Sequence, residues 1–189
     1  NEMAESNNHQ GVIALVAAYE YSELEDILEI PKNKGEDPFL VILDEIMDPH
    51  NLGSIMRTAD AVGVHGIIIP KRRSVGLTAT VAKTSAGAIE YVPVAKVSNI
   101  SQTIEKFKKE GLWIVGADMS GEKDYFHSDL KGAIALVIGN EGEGISRLVK
   151  EKCDFLVKIP MVGKVASLNA SVAAATLMYE VFRQKNLKE

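Results

Sequence analysis

The chain has one cysteine, Cys153, which excludes an internal disulfide framework and fits a reducing, cytoplasmic setting. No apolar run reaches membrane-spanning length, and residues 1–10 are too polar for a signal peptide. Positive charge is not in excess: 21 Lys and Arg stand against 26 Asp and Glu, a net charge of −5. That excludes a chain that grips nucleic acid through bulk charge, while leaving room for a local basic surface on an acidic body. Histidine is sparse as well. His9, His50, His65 and His127 do not combine with Cys153 into any metal-ligand spacing, so no metal is expected. Internal repeats and low-complexity tracts are also missing.

What remains is 189 residues, 46% hydrophobic and 25% charged, enough for one globular domain with a real core. Residues 1–10 read as a linker or N-terminal arm, and 11–189 as the domain. Apolar runs predict strands over 11–18, 39–43, 66–69, 90–94, 112–116, 133–138 and 155–159. Ser22-Glu23-Leu24-Glu25 reads as a capping box opening a helix to about residue 29, followed by a turn-rich loop over 31–38. Asp48-Pro49 predicts an N-cap with Pro in the first turn, for a helix that Gly63 closes. Further helices are predicted over 78–84, 100–110, 145–152 and 168–183, and residues after 116 read as a polar loop. Continuous apolar strands alternating with helices imply an α/β fold, a mostly parallel sheet with helices on both faces.

Three segments carry candidate chemistry. The segment Ile159-Pro160-Met161-Val162-Gly163-Lys164-Val165-Ala166-Ser167-Leu168-Asn169-Ala170-Ser171 runs from a strand end, through a Gly-containing loop, into a helix of very small residues. Small residues at a helix start admit a ligand or backbone to the free N–H groups there, and the carboxyl end of a strand is where α/β proteins bind. Alone, the segment reads as a capped core helix. The second segment follows the strand over 39–43, with Asn51 in the first turn of its helix and Arg57 six residues on. Six residues rotate about 240° around a helix, so the two side chains do not share a face. If both serve one site, Arg57 reaches another element or another subunit; otherwise it is a surface ion-pair partner and Asn51 a second cap. The third segment, Gly139-Asn140-Glu141-Gly142-Glu143-Gly144, follows a buried strand. It is no P-loop, since no Gly-Lys-Ser/Thr follows, and no dinucleotide fingerprint, since Arg147 stands where a third small residue is needed. Glu141 and Glu143 repel a pyrophosphate and suit a ligand with hydroxyls or positive charge.

Asp48-Pro49-x-Asn51-x-Gly53-x-x-x-Arg57-Thr58-Ala59, Gly139-x-Glu141-x-x-Gly144-Ile145, and Ile159-Pro160-Met161 with Ser167-Leu168-Asn169-x-Ser171 resemble, in order and interval, the three motifs of the SpoU (TrmH-like) branch of the SPOUT RNA methyltransferases. The resemblance spans about residues 11–183. His9-Gln10-Gly11 also resembles the junction preceding this domain in members that modify a guanosine of large-subunit ribosomal RNA. Those members carry an extra N-terminal RNA-recognition domain, so the chain is expected to be a truncation or an excised catalytic domain.

The resemblance implies a deep trefoil knot in the C-terminal third, S-adenosylmethionine as methyl donor, a ribose 2′-hydroxyl as acceptor, and a homodimer with its active site at or near the interface. By position, Gly139, Ile159 and Leu168 would contact the cofactor chiefly through backbone groups. Met161, and Ala117 at the head of loop 117–121, would lie beside it. Asn51, Arg57, Glu141, Ser167 and Asn169 would form the catalytic and substrate-positioning set. The family gives Arg57 the role of base. A guanidinium does not readily lose its proton, so the role adopted is a phosphate clamp that also stabilises the developing alkoxide. Asn169 and Ser167 would orient the hydroxyl or cofactor, and Glu141 would bind a ribose hydroxyl or brace Arg57.

Ribosomal RNA is the favoured partner, with Lys71, Arg72, Arg73, Lys83 and Lys164 as candidates for a phosphate-contacting rim. Leu177, Met178, Val181 and Phe182 read as core or dimer interface. Three alternatives stay open: a transfer RNA 2′-O-methyltransferase, a base-methylating enzyme of the same fold, and a non-catalytic RNA-binding protein that keeps the knot. Retention of five site residues disfavours the last, and Ser167-Leu168-Asn169 points to ribose.

Overall fold

A computed structural model of the chain describes residues 19–186. The strand expected over 11–18 and the arm over 1–10 lie outside the described residues. In chain order the elements are α1 (Leu24–Lys34), β1 (Phe39–Asp44), α2 (Pro49–Ala61), β2 (Gly66–Pro70), α3 (Ala79–Thr84), β3 (Val94–Val97), α4 (Ile100–Lys109), β4 (Trp113–Ala117), β5 (Lys123–Asp124), β6 (Ile134–Gly139), α5 (Arg147–Lys150), β7 (Phe155–Lys158) and α6 (Ala170–Asn186). Among the described residues, seven strands form one sheet in the order β3-β2-β1-β6-β4-β7-β5, and every pairing is parallel.

Alternation along the strands builds two cores. Phe39, Val41 and Leu43 point to one face, where they meet Leu52, Ile55 and Met56 of α2 and Ala174, Leu177 and Met178 of α6. Leu40 and Ile42 point to the other, against Ile27 and Leu28 of α1 and Ile104 and Phe107 of α4. Full burial of β1 on both faces explains its unbroken apolar run. Leu177, Met178 and Val181 are core, while Phe182 is 38% exposed. No helix among the described residues is long and apolar enough to cross a membrane.

Several elements differ from their sequence expectations. The capping box does not form: Glu23 occupies the N-cap, with no side-chain cap bond. Helix α1 runs on through Pro31, because proline costs it one N–H bond while Pro31 buries its ring beside Ile27 and Leu28. The helix ends where Gly35 takes φ 66°. The strand expected over 90–94 starts at Val94 instead. Pro93 has no N–H to give the ladder, although its carbonyl accepts from Ile67 N at 2.9 Å, and residues 88–90 form a single 3-10 turn. The polar loop after β4 contains the two-residue edge strand β5. Helix α5 covers four residues of the eight expected. Helix α6 begins at Ala170, two residues late, because Asn169 caps it.

Gly53, in the first motif, has a packing role. A Cβ there would lie 2.6 Å from Thr84 Cβ and 3.0 Å from Ser85 N, so glycine is what lets α2 rest on α3. Gly53→Ala is expected to destabilise the protein by about 1–3 kcal/mol, read as a lowered melting temperature. An unchanged melting temperature would show that the two helices separate freely.

Candidate active site

Parallel pairing brings the carboxyl ends of the strands to one edge. The register pairs Asp44 with Gly139, Gly116 with Val137 and Ala117 with Val157, so β1, β6, β4 and β7 end side by side. The chain leaves β1 into α2 on one face of the sheet and leaves β6 towards α5 on the other. Connections that diverge between neighbouring strands open a crevice, the usual binding place of an open α/β sheet.

Asn51, Glu141 and Asn169 meet there. Asn51 Nδ2 donates to Glu141 Oε1 at 3.0 Å. Asn169 Nδ2 donates to Asn51 Oδ1 at 2.9 Å and to Glu141 Oε1 at 2.5 Å. The Ala170 N–H, at the start of α6, also donates to Glu141 Oε1, at 3.0 Å. Asn169 turns its own Oδ1 to the N–H of Ser171, at 3.0 Å, and thereby caps the helix it belongs to. Three neutral donors, two side-chain amides and one N–H at a helix N-terminus, thus hold one carboxylate oxygen, with no cation paired to it among the described residues. Glu141 Oε2 keeps its full acceptor capacity. Asn51 is 8% exposed, so its amide depends on these partners.

On one side of this network lies a cavity of about 310 Å³ between the ends of β6, β4 and β7. Ala117, Gly139, Ile159, Met161 and Leu168, the positions matched to cofactor contacts, all line it, and so does Ser167. Its walls mix apolar side chains, Ile138 and Val157, with the turn over 140–144. Asn140 shapes that turn by accepting from the N–H groups of Gly142, at 2.9 Å, and Glu143, at 2.8 Å. A Cβ at Gly139 would lie 2.0 Å from the Gly144 carbonyl carbon and 2.3 Å from Ile145 N, so no side chain fits where β6 meets its own turn.

On the other side is a cleft of about 530 Å³, reached by Glu45, Asp48, Asn51, Arg73, Asn140 and Glu141. Glu45 and Arg73 both have left-handed backbones, φ 60° and 57°, at roughly 1–2 kcal/mol each for a residue with a Cβ. They form an ion pair at 3.0 Å.

Two further carboxylates escaped the sequence reading. Asp118 lines the cavity and pairs with Lys150 at 2.6 Å. Burial works to raise its carboxyl, but the Lys150 ammonium and the Ser120 donors outweigh that and hold it below the ordinary range. Asp44, 4% exposed, accepts the Ser146 N–H at 2.8 Å and so ties loop 140–146 to β1. An acidic residue ending an apolar strand was the visible signal for Asp44; Asp118 lay in loop 117–121, expected beside the cofactor, but nothing marked the residue itself. Cys153 is no nucleophile, since burial pushes its thiol up to about 12.

Arg57 is not brought in. It is exposed on α2, lines neither cavity nor cleft and pairs with no described residue, as its rotation from Asn51 requires. Of the basic rim, Arg73 reaches the cleft, while Lys71, Arg72, Lys83 and Lys164 are exposed without lining it.

The model of the SpoU rRNA Methylase family matches residues 38–179. A Bacillus subtilis protein assigned to the TrmH family of tRNA/rRNA methyltransferases is 63% identical over 181 residues, 96% of this chain and 73% of that protein. The solved structure of the SpoU methyltransferase AviRb from Streptomyces viridochromogenes, in complex with AdoMet, matches with a TM-score of 0.74 at 33% identity. The match covers 78% of this chain but 58% of that one, less than two thirds of its length. The A. aeolicus TrmH/SpoU tRNA modifying enzyme matches with a TM-score of 0.69 at 32% identity, over 78% of this chain and 75% of that one.

Proposed function

The chain belongs to the SpoU rRNA methylase family, and from that premise we propose that it methylates RNA at a ribose 2′-hydroxyl, with S-adenosylmethionine as donor and a guanosine of large-subunit ribosomal RNA as the favoured acceptor. The observation that carries the reading is the Asn51–Glu141–Asn169 network, whose Glu141 lines both a small-residue cavity and an open cleft. A donor in the cavity and an acceptor in the cleft would meet across it.

The cavity fits the cofactor chemically. Apolar side chains suit an adenine, and the carboxylates of Asp118 and Glu141 suit a cationic ligand. Ala117, Gly139, Ile159, Met161 and Leu168 would hold it. When bound, S-adenosylmethionine supplies a methyl group already activated by its sulfonium. The protein's part is to align the hydroxyl and ease its proton away, and alignment alone can carry much of the rate. Glu141 has Oε1 saturated and Oε2 available, which suits a hydroxyl hydrogen bond; Asn51 and Asn169 fix the carboxylate's direction. Of the two roles considered for Glu141, hydroxyl binding is favoured over bracing Arg57, which lies elsewhere in the same chain. Ser167, at the cavity wall, would orient the cofactor or the hydroxyl.

Arg57 then serves the reaction from a second copy of the chain, as phosphate clamp and alkoxide stabiliser in a homodimer. Arg57→Lys should lower turnover about 100-fold while calorimetric cofactor affinity stays unchanged. Collapse of cofactor binding would refute the clamp. Mixing Arg57→Ala with Glu141→Ala protein should restore activity through hybrid dimers, and no restoration would place Arg57 in its own subunit's chemistry.

The knot is part of the same proposal. Helix α6 packs on α2 and β6 although β7 lies two strands away, so loop 159–169 carries the chain back across the strand ends, as threading requires. A cytoplasmic location goes with an RNA substrate and a single cysteine.

The deciding experiment is labelled methyl transfer to separate ribosomal and transfer RNA pools, followed by nucleoside digestion. 2′-O-methylguanosine from ribosomal RNA is expected. Label in the transfer RNA pool alone would move the substrate, and methylated bases or no label in either pool would overturn the activity.

A further inference from the structure

The cleft between β1 and β6 has a charge imbalance that the proposed substrate must meet. Three carboxylates line it, Glu45, Asp48 and Glu141, against one cation, Arg73. Asp48 is occupied in capping α2, where Oδ1 accepts the His50 N–H at 2.9 Å, and Glu141 is held by neutral donors. Neither has a cationic partner among the described residues. Within this chain Arg73 is the cation that lines the cleft and can meet an entering polyanion, and it is already engaged: its guanidinium donates to Glu45 Oε1 at 3.0 Å.

That ion pair is fixed from both sides. Its two residues have left-handed backbones, a conformation shared among the described non-glycine residues only with Ala86. Their loops are tied by the Val75 N–H, which donates to Ile46 O at 2.9 Å. The two side chains therefore meet because tied, strained turns aim them at each other. They are not alike in exposure: the Arg73 side chain is 79% exposed, the Glu45 side chain 28%. Solvent, and hence a ligand, reaches the guanidinium on faces that Glu45 does not cover.

We propose that Arg73 is a phosphate-binding residue that this chain supplies to the cleft, separate from the Arg57 clamp, and that Glu45 is its resident counterion, displaced when an RNA phosphate arrives. The inference rests on the RNA-methylating reading of the site. A guanidinium fork fits carboxylate and phosphate alike, so the exchange conserves its hydrogen bonds while giving the strand a foothold beside Asn51 and Glu141. It also gives selectivity. A nucleoside without a flanking phosphate leaves the pair closed, whereas a strand that places a phosphate over Arg73 opens it.

The test is binding of a short, fluorescein-labelled single-stranded RNA of mixed sequence, followed by anisotropy over a range of salt. Arg73→Ala should weaken binding about fivefold at low salt and flatten the slope of log K against log salt by about 0.7, as loss of one phosphate contact to a single strand predicts. Glu45→Gln should tighten binding about threefold, the scale of an exposed ion pair, and that gain should vanish when Arg73 is already alanine. Arg73→Lys, which keeps the charge without the fork, should fall between. Unchanged or weaker binding by Glu45→Gln, or an equal gain in both backgrounds, would overturn the proposal. Cofactor affinity, read by calorimetry, checks that each variant is folded, because neither residue lines the cofactor cavity. If the wild-type protein methylates neither RNA pool, the functional reading itself fails; if it methylates and Arg73→Ala binds RNA undiminished, this proposal alone fails.

Discussion

Alanine in place of Gly139 is expected to weaken cofactor binding about 100-fold and to lower the stability of the protein. The added methyl would stand 2.0 Å from the Gly144 carbonyl carbon, 2.2 Å from its oxygen and 2.3 Å from Ile145 N. All three are backbone atoms, so no side-chain rotation relieves the overlap. The turn over 140–144 must swing away, and that turn forms one wall of the cavity and carries Glu141. Overpacking of this kind costs about 2–3 kcal/mol. If the binding-competent turn forms only against that strain, cofactor affinity falls by the same free energy, about 100-fold. Calorimetric titration with S-adenosylmethionine and a thermal melt measure both. Wild-type affinity in Gly139→Ala would mean that the turn is not a wall of the cofactor site.

Removing the Glu141 carboxylate should have the largest effect on the rate. In Glu141→Ala, Asn51 Nδ2 and the Ala170 N–H lose their acceptor, and Asn169 Nδ2 keeps only its bond to Asn51. Leaving the amide of a residue as buried as Asn51 unsatisfied costs about 1–3 kcal/mol, so the melting temperature falls by several degrees. The rate should suffer more, because the role proposed for the network is to align the hydroxyl. A displacement of about 1 Å in such a site costs on the order of 100-fold. Turnover in Glu141→Ala is therefore expected to drop by about 100- to 1000-fold in single-turnover methyl transfer. Glu141→Gln keeps an acceptor oxygen for all three donors, so it should retain stability and lose about tenfold in rate, the part that depends on charge. Wild-type turnover in Glu141→Ala would remove the network from the chemistry. Equal losses in both variants would assign its whole effect to charge rather than alignment.

The fold was legible wherever its cause is local. Continuous apolar runs marked β1, β2, β4, β6 and β7 to within a residue or two, because burial on both faces leaves almost no polar position inside β1, β2 and β6 and few in the others. Asp48-Pro49 marked the start of α2, and the Asp48 side chain does accept from the His50 N–H. Proline misled twice. Pro31 sits inside α1, where burial of its ring outweighs the lost hydrogen bond, and Pro93 delays β3 by withholding an N–H. Asn140 could have been recognised by its place two residues before Gly142 in a glycine-rich turn, where an Asn side chain folds back onto the N–H groups two and three residues on.

The site divides along the same line. Likeness to the family's motifs, in order and interval, pointed to Asn51, Glu141 and Asn169, and to Gly139 and Leu168 beside them. That these side chains touch was decided elsewhere. Asn51 and Glu141 are 90 residues apart, and Asn169 is 118 from Asn51. They meet because β6 inserts beside β1 and the chain then returns from β7 over α2 and β6. The same packing turns Arg57 away from the network and brings Arg73 against Glu45. Helix and strand periods are properties of a few neighbouring residues and can be read along the chain. Which strands become neighbours depends on how all the apolar faces are buried at once, and that is settled only when the whole sheet closes on its two layers of helices.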